Sequence, residues 1–521
     1  MDLRKTLSRT WGPFFQSYGR LRLIQERAIP PILAGENVIL VSPAATGKTE
    51  AAVAPAVERL LAGGQGPLCL LYLSPTRALV NDLEIRLRDP LRTLGISLAV
   101  QTGDRPRLSR SRPEDCLITT PESLDSLLCR FPAPLPGIRI IILDELHVLD
   151  NTFRGDQMIC LLNRLSRFHL QSPAQTIALS ATLADPAETG SRYLNDPVVI
   201  EDPMKRGLVG HIVEDLGSAI SLMRTEGLRK ALLFCNSRKD VEQISVSLAD
   251  AWPRERILVH HGSLSRAERE ETERTFRHWD WGICVATMTL EFGIDIGDID
   301  ATLLFRPPPS PSSFLQRVGR SCRRKHDMVA ICVADKEEDR RLFQTLIRLA
   351  SEGKIESIDY APDPSVIVQQ AFSILYGRPR GVAIDVLVDA LSPLAPPDRI
   401  ERILDHLSEK GFIEPGMRSS LRATTRLMDM GERGLIHSNI PDQKEYRITD
   451  IESGRHIGSL VLSAARGSTL LLSGRVWEIV ELKKDTLGVK MVKGPMARTH
   501  FSRRYQTGAF TPYLPPDLPM I

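Results

Sequence analysis

The sequence predicts an α/β fold in which two consecutive domains, each built on a parallel sheet, precede a helical module and a small antiparallel β domain. The first observation is a series of continuous apolar runs that alternate with helical patterns, as buried parallel strands do. The second is that this series stops after residue 350, where three short helical patterns begin. The third is a period-two alternation with glycine-rich turns from about residue 435.

The bulk composition is that of a globular protein. A chain of 521 residues is too long for one hydrophobic core and suggests several domains. No run is apolar enough to span a bilayer, and the N-terminus lacks a secretory signal, so we expect a cytoplasmic protein without a membrane partner. The eight cysteines form no C-x-x-C pair, which favours buried thiols over a zinc site or a disulfide framework.

The first predicted domain covers residues 1–205 and the second covers 206–347. The expected strands of the first are NVILVSP, LCLLYLSP, SLAVQTG, CLITTP, IRIIILDE and TIALSAT. Those of the second are ALLFCNS, ILVHHG, GICVATM, ATLLFRPP and VAICVAD. The segment PMKRG, 203–207, is the expected linker. Each strand ends in small or polar residues, so the carboxyl edges of both sheets should carry functional loops.

Two smaller modules are expected after the α/β domains. Residues 348–434 contain three helical patterns and a hairpin pattern, which suggest a winged-helix-like module, although another small helical bundle also fits. Residues 435–521 are β-rich, with Trp477 expected in the core of that domain. The proline-rich end, TPYLPPDLPMI, is expected to be loose.

The segment SPAATGKTE, 42–50, is a candidate phosphate-binding loop. It follows an expected strand and precedes a helical pattern, so the helix N-terminus would face an anion. In such a loop Lys48 reaches the β- and γ-phosphates of ATP, and the Thr49 hydroxyl ligates Mg²⁺. A chance G-K-T tripeptide is the alternative, and the strand and helix around it make that less favoured.

An acidic pair, Asp144 and Glu145, follows the strand pattern IRIIIL. Asp144 can hold Mg²⁺, commonly through water. Glu145 can orient or deprotonate an attacking water. The alternative is a pair that only caps a helix, which would be favoured for an isolated Asp-Glu without the upstream loop.

The segment SFLQRVGRSCRRK in the second domain carries a candidate set of arginines. Gln316, Arg317, Arg320 and Arg323 are expected to line one face of a helix. Arginines of this kind stabilise the charge on a γ-phosphate in the transition state. A solvent-exposed basic helix is the alternative. A second arginine cluster, at 105, 107, 110 and 112, is more often a solvated face than a phosphate site.

Taken together, these motifs resemble the core of a superfamily 2 helicase, and in detail the Lhr (large helicase-related) family. The matching segments are LRLIQERAIPPILAGENV, SPTRALVNDL, QTGD, TTPESL, DELH, LSATL, LLFCNSRKDVE, HHGSLSRAERE, VATMTLEFGIDIGDID and QRVGRSCRR, in the family's order from residue 21 to 325. The resemblance implies two tandem RecA-like domains, then a winged helix and the opening of a β-rich domain.

The resemblance also assigns roles to individual residues. Gln25 reads adenine, and further nucleotide contacts fall on Ser42, Ala45, Thr46, Gly47, Lys48, Thr49, Gly293 and Asp295. Catalytic positions are Lys48, Asp144, Glu145, Gln316, Arg320 and Arg323. Coupling between ATP and strand falls on His147, Ser180, Ala181 and Thr182. Contacts to the nucleic-acid backbone fall on Thr76, Arg77, Thr102, Gly103, Thr120, Glu122, Arg238 and Thr287.

This chain departs from the family pattern in the phosphate loop and in the arginine motif. Ala44 and Ala45 stand where the family has threonine and glycine, and alanine at a positive φ costs about 1 kcal/mol. Cys322 replaces a glycine and Arg323 a frequent histidine. The chain is also expected to be a short form of the family, so that a partner protein could complete the strand channel.

The leading hypothesis is therefore an ATP- and Mg²⁺-dependent helicase or translocase that acts on single-stranded DNA, with 3′ to 5′ polarity and a role in DNA repair by resemblance. ATP would lie between the two α/β domains, and a single strand would cross both. One alternative is a remodeller of RNA or RNA–DNA hybrids. Another is a nucleic-acid clamp with little ATP turnover, which the intact Asp144, Glu145 and Arg320 disfavour.

Overall fold

The computed structural model describes residues 2–43, 46–64, 66–103, 108–109, 111–202, 207–291, 296–321, 327–355, 360–441, 446–460, 469–472, 475–483, 486–492 and 508–518. The chain forms two compact units, and each is built from separated segments. The first contains the described residues within 2–202, 360–441 and 508–518. The second contains those within 207–355 and 446–492.

The first unit begins with an α/β domain. Its helices are α1 (Leu3–Thr6), α2 (Trp11–Phe15), α3 (Leu23–Ala34), α4 (Lys48–Ala62), α5 (Arg77–Thr93), α6 (Pro121–Arg130), α7 (Leu146–Leu149), α8 (Phe153–Phe168) and α9 (Pro186–Tyr193). Its strands are β1 (Val38–Val41), β2 (Leu70–Leu73), β3 (Leu98–Gln101), β4 (Cys116–Thr119), β5 (Ile140–Leu143), β6 (Gln175–Ser180) and β7 (Val198–Glu201).

The seven strands form one parallel sheet in the order β3-β4-β2-β5-β6-β1-β7. The six predicted strands are all present, and β2, β4 and β5 are buried at every residue. The sequence missed β7 because this edge strand is exposed at two of its four residues and lacks a continuous buried run. Apolar clusters pack on the sheet and bury its strands.

The second unit begins with the second α/β domain. Its helices are α10 (Leu216–Thr225), α11 (Arg238–Ser247), α12 (Arg266–His278), α13 (Pro311–Val318) and α14 (Glu337–Glu352). Its strands are β8 (Leu208–Val213), β9 (Lys230–Cys235), β10 (Ile257–His260), β11 (Gly282–Ala286), β12 (Ala301–Phe305) and β13 (Met328–Val333). They form a parallel sheet in the order β10-β11-β9-β12-β13-β8. The edge strand β8 is the one that the sequence missed.

The winged-helix-like module belongs to the first unit. Its elements are α15 (Ser365–Tyr376), β14 (Val382–Ala383), α16 (Ile384–Leu391), α17 (Pro397–Glu409), β15 (Ile413–Pro415), β16 (Ser420–Ala423) and α18 (Thr425–Glu432). The three predicted helices and the hairpin are present, and β14, β16 and β15 form a small antiparallel sheet. Every residue of α15 is buried.

A buried polar network joins this module to the first α/β domain. The Arg164 guanidinium on α8 donates to Asp125 Oδ1 at 2.5 Å and to Gln370 Oε1 at 2.8 Å. Ser373 Oγ donates to the same Asp125 oxygen at 2.7 Å, and His437 Nδ1 lies 3.0 Å from Asp125 Oδ2. Because the side chains of Arg164 and Asp125 are 4% and 0% exposed, the two charges are paired with each other inside the contact between module and domain.

The β domain belongs to the second unit. Its strands are β17 (Tyr446–Asp450), β18 (His456–Leu460), β19 (Thr469–Leu472), β20 (Arg475–Leu482) and β21 (Thr486–Met491), in the order β18-β17-β21-β20-β19. The pairs are antiparallel except β17 with β21, which run parallel because the long connection through β18, β19 and β20 separates them. Trp477 is 4% exposed in this core, as predicted.

The prediction of a loose end at 511–521 is wrong for its described residues, 511–518, which pack together with the preceding Phe510. Phe510 is 2% exposed and lies edge-on to the Phe372 ring at 5.9 Å between centroids. Tyr513 packs against Phe412 at 5.2 Å. The prolines in this segment hid these aromatic anchors, which fill the core of the winged-helix-like module.

Two predictions from composition can also be compared with the structure. Within the part of the chain that the structure describes, no helix is long and apolar enough to cross a membrane. The cysteines at 69, 116, 160, 235, 284 and 332 are buried and free, and Cys129 is half-buried and free. Cys322 lies outside the described residues, as does most of the expected linker at 203–207.

Candidate nucleotide and nucleic-acid site

The candidate phosphate loop connects β1 to α4 at the carboxyl edge of the first sheet. Gly47 immediately precedes α4 and adopts a left-handed conformation with φ of 83°. The positive φ favours glycine, and a Cβ atom at this position would lie 2.3 Å from Gln25 Nε2, so a side chain here would displace Gln25. The helix therefore begins at Lys48, with the N–H groups of its first turn directed at the loop.

Lys48 connects this loop to the neighbouring strand. Its Nζ donates to the Ser42 carbonyl at 2.6 Å and to the Ser180 carbonyl at 3.0 Å. Lys48 and Thr49 are each 8% exposed. A cation and a hydroxyl are thus held together at the helix start, as the sequence predicted.

Ser42 has a local role that explains its presence in the loop. Its Oγ lies 2.8 Å from Thr46 Oγ1 and 3.0 Å from Asp202 Oδ2, and the residue is 1% exposed. Thr46 Oγ1 in turn donates to the Pro43 carbonyl at 2.9 Å. The two hydroxyls therefore brace the loop from within. A nucleotide contact for either residue stays a prediction.

Gln25 lies beside the loop rather than apart from it. Its side-chain Nε2 donates to the Gly47 carbonyl at 3.2 Å, and its Oε1 accepts the Arg22 N–H at 2.9 Å. Gln25 therefore links the segment before α3 to the loop before α4. The residue that is predicted to read adenine is therefore hydrogen-bonded directly to the phosphate loop.

Asp144 and Glu145 follow β5 at the same edge. Asp144 is 7% exposed, and its Oδ1 accepts the Glu145 N–H at 3.0 Å. Burial and the neighbouring Glu145 carboxylate raise the pKa of Asp144, while Lys48 and Arg86 oppose that rise. Glu145 adopts a left-handed conformation with φ of 45°, which is strained for this residue type and is typical of functional sites.

The predicted coupling residues contact one another. His147 Nδ1 accepts the Ala181 N–H at 3.2 Å, lies 3.2 Å from Ser180 Oγ and lies 3.6 Å from Glu145 Oε2. Ser180 Oγ donates to the Thr182 carbonyl at 3.2 Å. The acidic pair after β5 and the segment after β6 are therefore joined through one imidazole.

The predicted nucleic-acid residues of the first unit follow the carboxyl ends of three strands, β2, β3 and β4. Thr76 and Thr120 are N-caps, since their Oγ1 atoms accept the N–H groups of Leu79 at 3.3 Å and Ser123 at 3.4 Å. The exposed Arg77 lies against Gly103, where an added Cβ would be 3.1 Å from the guanidinium. Thr102 is 5% exposed. The structure thus brings these segments together, and their nucleic-acid contacts stay predictions.

Arg154 is a functional candidate that the sequence analysis missed. Its Nε donates to Glu122 Oε1 at 2.7 Å and its guanidinium donates to the Pro75 carbonyl at 2.6 Å. One side chain on α8 therefore fixes the two loops that carry Thr76 and Thr120. No local pattern around Arg154 indicates this, because both partners are distant in sequence.

In the second unit, the prediction of one arginine face on a helix is wrong. The helix α13 ends at Val318, so Arg320 lies in the turn beyond it. Arg317 is buried instead, and its Nε donates to Glu291 Oε1 at 2.5 Å. Arg320 is 8% exposed and donates to the Glu291 carbonyl at 2.5 Å. Gln316 is half-buried on α13. Gly319 ends the regular helix, which the three-residue spacing did not take into account.

Glu291 is the second residue that the sequence analysis missed as a positioning group. Burial raises the pKa of its carboxyl, and the Arg317 guanidinium opposes that rise. Ser313 Oγ donates to the same carboxylate at 3.2 Å. Glu291 therefore holds two arginines of the motif, one through its side chain and one through its backbone.

The remaining predicted contacts of the second unit follow its strands. Arg238 begins α11 after β9 and donates to Ser263 Oγ. Thr287 follows β11, is 7% exposed and lies 3.4 Å from Thr289 Oγ1. Both residues lie at the carboxyl edge of the second sheet. Ala44, Ala45, Gly293, Asp295 and Arg323 lie outside the described residues.

Comparison with known sequence families gives two matches. The DEAD/DEAH box helicase model matches residues 22–189, and the helicase conserved C-terminal domain model matches residues 213–325. Together the two matches cover the motifs of both α/β domains.

Several curated relatives are named Lhr-Core helicases, and two of them show the extent of the similarity. The ATP-dependent helicase Lhr-Core of Methanothermobacter thermautotrophicus is 34% identical over 64% of this chain and 44% of its own length. That of Methanocaldococcus jannaschii is 28% identical over 92% of this chain and 62% of its own length. The chain thus spans about half of these proteins.

Solved structures share the fold. The Mycobacterium smegmatis helicase Lhr bound to ssDNA and AMP-PNP has a TM-score of 0.72 and 28% identity, over 84% of this chain and 62% of that one. The DUF1998 helicase MrfA bound to DNA has a TM-score of 0.75 over 93% of this chain and 69% of that one. At 21% identity this second likeness concerns the fold alone.

Proposed function

The chain belongs to the superfamily 2 helicases, and within them to the Lhr-like family, and we propose that it is an ATP-dependent helicase or translocase that moves on single-stranded DNA. Because the chain spans about half of its curated relatives, the activity is argued from its own residues. One observation carries the proposal: Lys48 joins the ends of β1 and β6 beside the buried Asp144 and the half-buried Glu145.

The residues at this edge fit a magnesium nucleotide. The α4 N-terminus and Lys48 supply N–H groups and a cation for phosphate oxygens. Thr49 and Asp144 supply the hydroxyl and the carboxylate for Mg²⁺. A dication would offset the burial and the repulsion that raise the pKa of Asp144, so its ionised form fits the ion. When bound, Mg²⁺ neutralises charge that develops on the phosphates.

Glu145 is proposed to hold the attacking water. Its carboxylate lies 3.6 Å from His147 Nδ1, and its own N–H is fixed by Asp144 Oδ1. The hydrogen bond to Asp144 fixes the backbone at Glu145, which keeps the carboxylate at this edge of the sheet, as orientation of a water requires. Hydrolysis would then be sensed by the segment after β6, because His147 also contacts Ala181.

Single-stranded DNA is the proposed track. The Lhr structure, which is bound to ssDNA, shares 28% identity with this chain. Loop threonines and arginines at the carboxyl edges of the sheets suit contacts to a phosphate backbone, and such contacts weaken with salt. Polarity from 3′ to 5′ and a role in DNA repair are further parts of the proposal that rest on the family resemblance.

Steady-state ATP hydrolysis by the purified chain tests the proposal. It would be measured without polymer, with single-stranded DNA, with single-stranded RNA and with a hybrid, for wild type, Lys48→Ala and the surface control Arg348→Ala. We expect stimulation by DNA, its loss in Lys48→Ala, and wild-type rates in the control. If only RNA stimulated hydrolysis, RNA would replace single-stranded DNA as the proposed substrate. Binding of a polymer without turnover on any polymer would favour a clamp.

Polarity has its own experiment. Strand displacement from a duplex with a 3′ single-stranded tail is compared with that from a duplex with a 5′ tail. Displacement that needs the 3′ tail supports 3′ to 5′ movement. Displacement that needs the 5′ tail would reverse the assignment.

A further inference from the structure

Three of the five tryptophans lie at one end of the second α/β domain. Trp252 lies between α11 and β10, while Trp279 and Trp281 immediately precede β11. The rings of Trp252 and Trp281 are 6.1 Å apart and inclined at 58°. Because aromatic residues make up only 5% of the chain, this is a local concentration of large, flat apolar surface.

These rings border a cavity of about 430 Å³. Its wall contains Trp252, Trp281, Leu228 and Pro253, and its rim contains Arg224 and Arg229. Both rim arginines are exposed. The cavity therefore combines an apolar interior with a cationic entrance.

Neighbouring groups hold this arrangement in place. The Arg256 guanidinium lies 4.6 Å from the Trp281 ring centroid and 5.2 Å from that of Trp279, which fixes both rings by cation–π contact. The Arg224 guanidinium donates to the Ala251 carbonyl at 2.7 Å. The Arg229 backbone N–H donates to Asp300 Oδ2 at 2.9 Å. This bond fixes the backbone of Arg229, which is an exposed residue.

The cavity lies far from the helicase motifs of the same domain. It is at the amino-terminal ends of β9 and β11, next to Lys230 and Gly282. Arg238 and Thr287 follow the carboxyl ends of these strands. A six-residue strand spans roughly 20 Å, so an occupant would not compete for those loops.

We propose that this cavity, lined by Trp252, Trp281 and Leu228 and rimmed by Arg224 and Arg229, docks an acidic linear peptide of a partner protein. An apolar side chain of the peptide enters the cavity, and flanking carboxylates meet the arginines. The charge of the rim fixes the acidic character. The near-complete burial of Trp252 disfavours nucleic acid, since base stacking needs an open aromatic face.

Fluorescence anisotropy tests this inference on the full chain. The probe is a labelled short peptide with a central Phe flanked by Asp and Glu, compared with versions that have a central Ala or flanking Lys. We expect a Kd on the order of 10 µM for the first peptide. Binding should weaken at least about tenfold for both altered peptides and for the protein variants Trp281→Ala and Arg229→Glu.

Two further variants separate docking from folding. Trp281→Phe keeps an aromatic ring at the cavity, and should retain more of the binding than Trp281→Ala while thermal unfolding stays close to wild type. Arg348→Glu, on an exposed position of α14, should bind as wild type does. ATP hydrolysis should be unchanged in Arg229→Glu, so failure of this inference is separate from failure of the proposed function.

Two results would overturn the docking inference. One is that no acidic peptide binds above the Lys-flanked control, or that Trp281→Ala and Arg229→Glu bind it as wild type does. The other is that labelled oligothymidylate, rather than the peptide, loses affinity in Trp281→Ala. The second result would assign the cavity to nucleic acid.

Discussion

His147 Nδ1 accepts a hydrogen bond from the Ala181 N–H at 3.2 Å. Because that nitrogen is an acceptor, the imidazole carries its proton on Nε2 when neutral. The contact joins the segment that contains Glu145 to the segment that follows β6. Glu145 lies two residues before His147, and its Oε2 is 3.6 Å from the same nitrogen, so the two side chains are neighbours without a hydrogen bond between those atoms.

Replacement of His147 should separate hydrolysis from its stimulation. We expect His147→Ala to retain basal ATP hydrolysis within a few fold and to lose about tenfold in DNA-stimulated rate, roughly 1.4 kcal/mol of coupling. His147→Asn, whose carbonyl oxygen can still accept the Ala181 N–H, should recover part of the stimulation. Equal stimulation in wild type and His147→Ala would contradict this role.

Removal of the Arg154 side chain should loosen both strand-facing loops of the first unit. Arg154→Ala loses the bonds to Glu122 and to the Pro75 carbonyl, so we expect about three- to thirtyfold weaker binding of single-stranded DNA in an anisotropy titration. Arg154→Lys keeps the charge but loses the paired donors of the guanidinium, so its affinity for single-stranded DNA should lie between those of wild type and Arg154→Ala. The control is Arg167→Ala on the same helix, which removes an exposed pair with Asp389. Wild-type affinity in Arg154→Ala would disprove the positioning role.

The two arginines of the second unit should fail in different ways. The side chains of Arg317 and Glu291 are each 4% exposed, so Arg317→Ala leaves a buried carboxylate and should cost about 3–5 kcal/mol of unfolding free energy. The double variant Arg317→Met/Glu291→Gln should recover part of that loss. Arg320→Ala should instead lower turnover about a hundredfold or more with a smaller loss of stability. Urea unfolding measures the loss of stability, and ATP hydrolysis measures the loss of turnover. If Arg317→Ala mainly lowered turnover and Arg320→Ala mainly lowered stability, the two roles would have to be exchanged.

Asp156 should make stability fall as pH rises. It is 2% exposed, and its carboxylate accepts the Tyr360 hydroxyl at 2.6 Å and the Asp363 N–H at 2.8 Å. Burial raises its pKa to about 6, whereas an unfolded aspartate titrates near about 4. Between these values the folded chain holds a proton that the unfolded chain has released, so its stability declines through this window.

Asp156→Asn should remove this decline. The amide remains neutral at every pH and can still accept a hydrogen bond, so we expect it to exceed wild type by about 1–3 kcal/mol at pH 7.5. The difference should vanish as pH approaches about 4, where the aspartate is also neutral. Urea unfolding at several pH values measures it. A variant less stable than wild type at pH 7.5 would show that the ionised carboxylate is favourable in place.

Phe510 should anchor the end of the described chain. Phe510→Ala removes a ring that packs on Phe372 and Tyr513, and large-to-small changes of this kind cost about 3–5 kcal/mol. Tyr18→Ala, at a position 67% exposed, is the matched control and should be close to neutral. Thermal unfolding of the two variants tests it. An unchanged unfolding temperature in Phe510→Ala would show that this residue does not anchor the segment, as the prediction of a loose tail requires.

The parts that depend on local pattern were predictable from sequence. Continuous apolar runs indicated eleven strands of the two parallel sheets, and their carboxyl ends correctly located Lys48, Asp144 and Ser180 at one edge. Edge strands β7 and β8 were missed because exposure removes the apolar run. The spacing of Arg317 and Arg320 suggested one helix face, but a helix end depends on backbone conformation, here at Gly319.

What the sequence could not supply were partners separated by long stretches of chain. Arg154 is hydrogen-bonded to Glu122 and to the Pro75 carbonyl, and Arg317 is hydrogen-bonded to Glu291. No sequence motif predicts these pairs. Pairings of this kind are decided by the packing of finished elements. The assignment of the winged-helix-like module to the first unit has the same origin. Gln370, Ser373 and His437, which lie far along the chain, complete the hydrogen bonds of the Arg164–Asp125 pair.

The interleaved composition of the two units constrains the order in which the chain can fold. The first unit needs segments from 2–202, 360–441 and 508–518, and the second starts and finishes between them. Long loops must therefore close before either unit is complete, which raises contact order and slows folding. A fragment that stops at 202 would expose the Asp125–Arg164 pair and the apolar surface around Cys160. Such a fragment is a candidate for chaperone capture and aggregation rather than a usable ATP-binding domain.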